Sequence, residues 1–229
     1  YTKGVFGHSQ RDLVAEQIVA AKDAQADFRA ALMNEDTAEI MNDQSQLEFA
    51  LAGGKAAFGD NCAPCHGSGA TGARGYPNLN DDSWLWGGTL DDIATTLRYG
   101  IRAEHDETRL GDMPAFVADG ILDRQQASDA TEYVLSLSGQ AEDADAAHRG
   151  AEVFAENCAS CHGDNGKGDQ SLGASNLTDD IWLYGGDRET ILATLTNGRK
   201  GVMPAWEGRL DPVTIKQLVI YVHSLGGGQ

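Results

Sequence analysis

One feature constrains this chain more than any other: it repeats itself. Phe58-Gly59-Asp60-Asn61-Cys62-Ala63-Pro64-Cys65-His66-Gly67 returns as Phe154-Ala155-Glu156-Asn157-Cys158-Ala159-Ser160-Cys161-His162-Gly163. Downstream, Asn78-Leu79 returns as Asn176-Leu177, and Trp84-Leu85-Trp86-Gly87-Gly88 as Trp182-Leu183-Tyr184-Gly185-Gly186. Met113-Pro114-Ala115-Phe116 returns as Met203-Pro204-Ala205-Trp206, and Tyr133-Val134-Leu135-Ser136-Leu137 as Tyr221-Val222-His223-Ser224-Leu225. Self-similarity of this extent means two copies of one structural unit. The cysteines stand 96 positions apart, the tryptophans 98 and the methionines 90. The second copy thus has two extra residues in its first loop. The first has eight extra before its Met, around Glu104-His105-Asp106-Glu107. Such length changes belong to surface loops.

Each copy reads as helical. Ala56, Ala57 and Phe58 suit a short helix before the first Cys. Leu90, Ile93, Ala94 and Leu97 recur at helical spacing, as do Ile191, Leu192 and Leu195. Asp123 caps a last helix with Ala127, Ala130, Val134 and Leu137 on one face. Asp211-Pro212 opens its counterpart, with Ile215, Leu218, Val219 and Val222 buried. Strand patterns are absent, so the fold class is all-α. The expected organisation is an N-terminal helical extension (1–52), a first domain (53–140), a small charged linker Ala141-Glu142-Asp143-Ala144-Asp145, and a second domain (146–229). In the extension, Leu13, Val14, Ile18 and Ala21 suggest an amphipathic helix that covers the first domain or binds a partner subunit.

Cys-x-x-Cys-His is the attachment signature for c-type haem. The two thiols add across the porphyrin vinyl groups, and the next residue brings an imidazole nitrogen to the iron. All four cysteines of the chain lie in these motifs: Cys62 and Cys65 before His66, and Cys158 and Cys161 before His162. A zinc site would need both pairs to converge across the whole repeat. A thioredoxin-like redox pair would need a preceding strand, where helical sequence stands instead. The sequence therefore predicts two haem c groups. Met113 and Met203 are the expected sixth ligands, because a soft thioether favours the ferrous iron and raises its potential. The following proline, with fixed φ, helps hold the loop that presents the sulfur. Separations of 47 and 41 positions from His to Met suggest that each Met serves the haem of its own copy.

Other residues carry less. His105, in the insertion, is a rival ligand or a solvated loop residue; His8, His148 and His223 read as surface or packing histidines. The Trp-Leu-Trp-Gly-Gly and Trp-Leu-Tyr-Gly-Gly segments are walls of a haem pocket, reaching a propionate with their ring N–H or O–H, or plain core. Arg102 and Arg199 are candidates to neutralise propionate charge. A net charge of −18 excludes a nucleic-acid-binding face and an anionic membrane surface as ligand. It leaves a basic protein partner, or plain solubility, as its use. No apolar run approaches the length of a membrane helix, and no signal peptide is visible; the abrupt start suggests a processed or truncated chain with an anchor upstream.

Taken together, the double Cys-x-x-Cys-His framework, Asn-Leu, Trp-Leu-(Trp/Tyr)-Gly-Gly and Met-Pro-Ala resemble the dihaem cytochrome c subunit of cbb3-type cytochrome c oxidase, CcoP or FixP. The resemblance covers nearly the whole chain. Tyr1-Thr2-Lys3-Gly4-Val5-Phe6-Gly7 is similar to the segment after that subunit's membrane anchor. The resemblance implies two tandem class I cytochrome c domains on the periplasmic side of the bacterial inner membrane. Electrons would enter from a soluble cytochrome c or the bc1 complex. They would leave to the monohaem subunit and the catalytic subunit of the oxidase. It also implies Cys62, Cys65, His66 and Met113 around one haem, and Cys158, Cys161, His162 and Met203 around the other. The alternatives are a free-standing periplasmic dihaem cytochrome, a dihaem peroxidase-like enzyme, and a gas or redox sensor with a labile Met. An enzyme or sensor needs an iron with an open or displaceable position, whereas this chain supplies a Met to each haem.

Overall fold

The computed structural model describes residues 9–227. His8 and the segment similar to the post-anchor sequence lie outside them. The described residues form eleven helices: α1 (Gln10–Ala24), α2 (Ala26–Asn34), α3 (Thr37–Asn42), α4 (Gln44–Asn61), α5 (Ala63–His66), α6 (Leu90–Tyr99), α7 (Arg124–Leu137), α8 (Ala144–Asn157), α9 (Ala159–His162), α10 (Arg188–Asn197) and α11 (Pro212–His223). Among these residues β-structure is limited to isolated bridges.

The helix ends follow the local chemistry. Asp123 accepts the Gln126 N–H and Gln126 returns the bond to the Asp123 N–H, a reciprocal cap on α7. Asp211 accepts from Val213 and Thr214 with Pro212 at the first helical position of α11. The helix expected just before Cys62 is longer than its apolar run suggests. It begins at Gln44, capped by Asp43, and crosses residues 52 and 53 without a break. The linker is shorter, because Asp143 caps α8 and draws Ala144 and Asp145 into it.

The two copies do not each pack upon themselves. Helix α11, from the second copy, lies against α4 and α6 of the first; α7, from the first, lies against α8 and α10 of the second. One core joins Phe58, Cys62, Ile93 and Leu97 to Trp206, Ile215, Leu218 and Val219. The other joins Phe154, Cys158, Ile191 and Leu195 to Phe116, Leu122, Ala130 and Val134. Each helix crossing passes over a glycine. A Cβ at Gly54 would stand 2.2 Å from the Gln217 carbonyl oxygen, and one at Gly150 1.9 Å from that of Asp129. Beside each crossing an aromatic pair packs at a tilt, Phe58 with Tyr221 and Phe154 with Tyr133.

The short segment between α7 and α8 explains the exchange. A brief connection makes sequence neighbours into spatial neighbours at little entropic cost. The buried Glu132 on α7 accepts the N–H groups of Glu142 and Asp143 and pairs with Arg188 of α10. That contact folds α8 back onto α7 and leaves α4 and α11 to find each other.

The N-terminal extension divides in two. Leu32 and Ile40, from α2 and α3, form a third core with Ala50, Val213 and Ile220. Arg29 pairs with Asp211 at 2.7 Å, and the Lys216 ammonium donates to the Glu35 carbonyl. The extension thus braces the α4–α11 pair. Helix α1 buries none of its residues, and Leu13, Val14 and Ile18 stay exposed. Of the two roles open to the α1 stretch, covering a domain is met instead by α2 and α3.

Candidate haem-binding sites

Each Cys-x-x-Cys-His motif is one tight helical turn at the end of a longer helix. Cys62 closes α4, α5 carries Cys65 and His66, and Gly67 at φ 78° stops it; Cys158, α9 and Gly163 repeat the arrangement. The His66 N–H and the Cys65 N–H both bond the Cys62 carbonyl, which holds the two thiols on one turn. In each pair the first thiol is buried and the second exposed, and none is in a disulfide. Burial, helped by the neighbouring thiol, pushes Cys62 and Cys158 up to about 11. The two pairs belong to separate cores, so the four cysteines do not converge.

Both histidines are oriented from behind. The Nδ1–H of His66 donates to the Pro77 carbonyl at 2.9 Å, and that of His162 to the Ser175 carbonyl at 2.8 Å. A carbonyl can only accept, so Nδ1 carries a proton, and in the neutral ring this leaves the lone pair on Nε2 for a metal. Burial also depresses the His162 pKa, favouring the neutral ring.

The methionines sit opposite to expectation. Met203 packs on the core that holds Phe58 and Cys62, and Met113 on the core that holds Phe154 and Cys158. Backbone pairs fix both placements. Met203 exchanges two hydrogen bonds with Ile101, at 2.9 and 3.0 Å, and Met113 exchanges two with Arg199, at 3.1 and 2.9 Å. The Met segments run across the glycines that end α6 and α10. A Cβ at Gly100 would lie 2.4 Å from the Met203 carbonyl oxygen, and one at Gly198 2.5 Å from that of Met113. Both glycines also hold positive φ, 70° and 68°. A side chain is thus refused there by conformation and by space. Each Met thus packs on the core that holds the other copy's Cys-x-x-Cys-His motif, for the same reason as the helix exchange. The Met-Pro-Ala segment leads into the last helix and travels with it.

The remaining candidates resolve as follows. Trp84 and Trp182 donate their ring N–H to the carbonyls of Asp81 and Asp179, so those hydrogens brace a turn. Trp86 and Tyr184 lie at the seam between the copies. Trp86 packs over Gly173 with the Arg109 guanidinium 5.1 Å from its ring centre, and Tyr184 packs by Gly75 with Arg199 at 4.1 Å. Arg199 also donates to Thr194. His105 packs at a tilt on Tyr99, accepts the Glu107 N–H and faces Glu207 at 3.5 Å, which engages both ring nitrogens. His148 is exposed, and His223 is half-buried at the end of α11. Sequence reasoning passed over Gly100 and Gly198 and the seam residues Gly75 and Gly173. The equal spacing of both pairs in the two copies was the available signal.

Two thiols on one turn, an imidazole held through Nδ1 so that Nε2 is free, and a thioether on the facing segment suit a covalently attached, six-coordinate haem. The chain is a dihaem cytochrome c of the electron-transfer class. Residues 51–138 match the family described as cytochrome c, and residues 145–222 the family described as cytochrome C oxidase, cbb3-type, subunit III. The chain is 55% identical to the cbb3-type cytochrome c oxidase subunit FixP of Bradyrhizobium sp. (strain ORS 278), across all of this chain and 79% of that protein. It is 56% identical to FixP of Azorhizobium caulinodans, over 78% of that protein, and 51% identical to subunit CcoP of Cereibacter sphaeroides, over 79%. It belongs to the CcoP/FixP family of cbb3-type cytochrome c oxidase subunits. Among the described residues no helix is long and apolar enough to cross a membrane.

Proposed function

We propose that one haem is held by Cys62, Cys65, His66 and Met203, and the other by Cys158, Cys161, His162 and Met113. Haem iron with two protein ligands supplies one-electron chemistry with little change of geometry. The chain's own residues do the rest. The histidines present Nε2 because Pro77 and Ser175 hold Nδ1. The methionines present sulfur because Ile101 and Arg199 hold their backbones. The two sites share a seam, since each is completed by a segment of the other copy. The observation that carries the ligand assignment is the pair of backbone bonds between Met203 and Ile101.

In the oxidase, the chain relays electrons from a soluble cytochrome c or the bc1 complex to the monohaem and catalytic subunits. It does so on the periplasmic side of the inner membrane, held by a membrane anchor outside this sequence. The family membership and the acidic surface, suited to a basic donor, support this reading.

Single-haem proteins test the ligands. In a chain with Cys158 and Cys161 replaced by Ala, Met203→Leu should open the remaining iron to carbon monoxide, and Met113→Leu should leave it closed. The reverse pattern would return each Met to its own copy.

A further inference from the structure

We infer that Arg102 is a positioning residue that holds both methionine segments with one guanidinium, and so links the firmness of the two sixth ligands. The inference rests on the exchanged ligand assignment. Arg102 donates through Nε to the Gly201 carbonyl at 2.6 Å and through Nη1 to the Gly111 carbonyl. Gly201 stands two residues before Met203 and Gly111 two before Met113. One rigid fork therefore spans both loops, a geometry that guanidinium offers and ammonium does not.

The backbone marks the same residue. Arg102 has φ 52°, in the left-handed region that a side chain with Cβ avoids. Ala70 is the other non-glycine residue there among those described. The second copy has Gly198-Arg199-Lys200 where the first has Gly100-Ile101-Arg102, and Lys200 does not take this conformation. The eight-residue insertion supplies the reason. It closes on itself through Arg102 N–H to Arg109 carbonyl and Arg109 N–H to Gly100 carbonyl, at 2.8 and 3.2 Å. Arg102 sits at the base of that loop, turned between the Met segments. A strained conformation kept at one copy of a repeat points to a use. A second side-chain tie between the loops, Lys200 to Asp112 at 3.1 Å, is largely exposed and contributes little.

Two variants of the two-haem protein test this. Arg102→Lys keeps the charge but cannot span both carbonyls. Arg102→Gly removes the clamp while relieving the backbone, so the fold is not put at risk. In both, the weak red charge-transfer absorption of methionine-bound ferric haem should fade at lower pH than in the parent. The reduced protein should bind carbon monoxide at both haems, with the open population raised about tenfold, the worth of a hydrogen bond to a charged group. Asp112→Asn should change neither readout. Parent-like behaviour of both Arg102 variants, or an effect on one haem alone, would overturn the linkage. The single-haem experiment above judges the ligand assignment by itself, so the two failures are separable.

Discussion

The exchanged packing can be read from the energy of one aromatic pair. Phe58, on α4, is 2% exposed and its ring centre lies 5.4 Å from that of Tyr221 on α11, at an interplanar angle of 56°. Trimming Phe58 to Leu leaves a partial void in a packed core and should cost about 1–2 kcal/mol, less than the ~3–5 of full truncation to Ala. Tilted aromatic pairs add about 0.5–1.5 kcal/mol beyond burial. A double-mutant cycle of Phe58→Leu with Tyr221→Leu should therefore show a coupling of that size. The same cycle with Tyr133→Leu should be additive within about 0.5 kcal/mol, because Tyr133 packs on Phe154 in the other core. Guanidinium unfolding of the haem-loaded protein, followed by far-UV circular dichroism, supplies the free energies. Phe154 gives the mirror control, coupling to Tyr133 and not to Tyr221. Coupling of Phe58 to Tyr133 with none to Tyr221 would mean that each copy folds upon itself, and the exchange would be refuted.

Two further outcomes follow from named contacts. Glu132→Gln keeps an acceptor for the Glu142 and Asp143 N–H groups but loses the charge that faces Arg188; since Arg188 is 39% exposed and can rehydrate, the loss should be about 1–3 kcal/mol rather than that of a wholly buried pair, measured by chemical denaturation. Asp187, the cap of α10, accepts from the Thr190 hydroxyl and N–H, which hold its carboxyl below the ordinary range. Its contribution is complete above the unfolded value near ~3.9 and is lost as pH falls through the lower folded value. Asp187→Asn caps without titrating, so as pH falls below about 4 its melting temperature should fall less steeply than the parent's; identical slopes would remove Asp187 from the acid response.

The chemistry and the local structure could be read from the residues alone. Cys-x-x-Cys-His sets thiols and imidazole on one turn through contacts of a few residues, so Cys62, Cys65 and His66, with their counterparts Cys158, Cys161 and His162, were legible without a fold. Asp123 and Asp211 announced their helices for the same reason. Which copy's last helix and Met segment pack on which core was beyond that kind of reading. Tyr133 and Tyr221 present the same residue to the same kind of crossing, over Gly150 and Gly54, so local pattern does not distinguish the two pairings. The choice falls to the short turn between α7 and α8, which Glu132 fastens, and to the long chain that leaves α11 free to reach α4. Arg102 follows the same rule. Its fork has meaning only once folding has brought Gly111 and Gly201, far apart in sequence, within reach of one side chain.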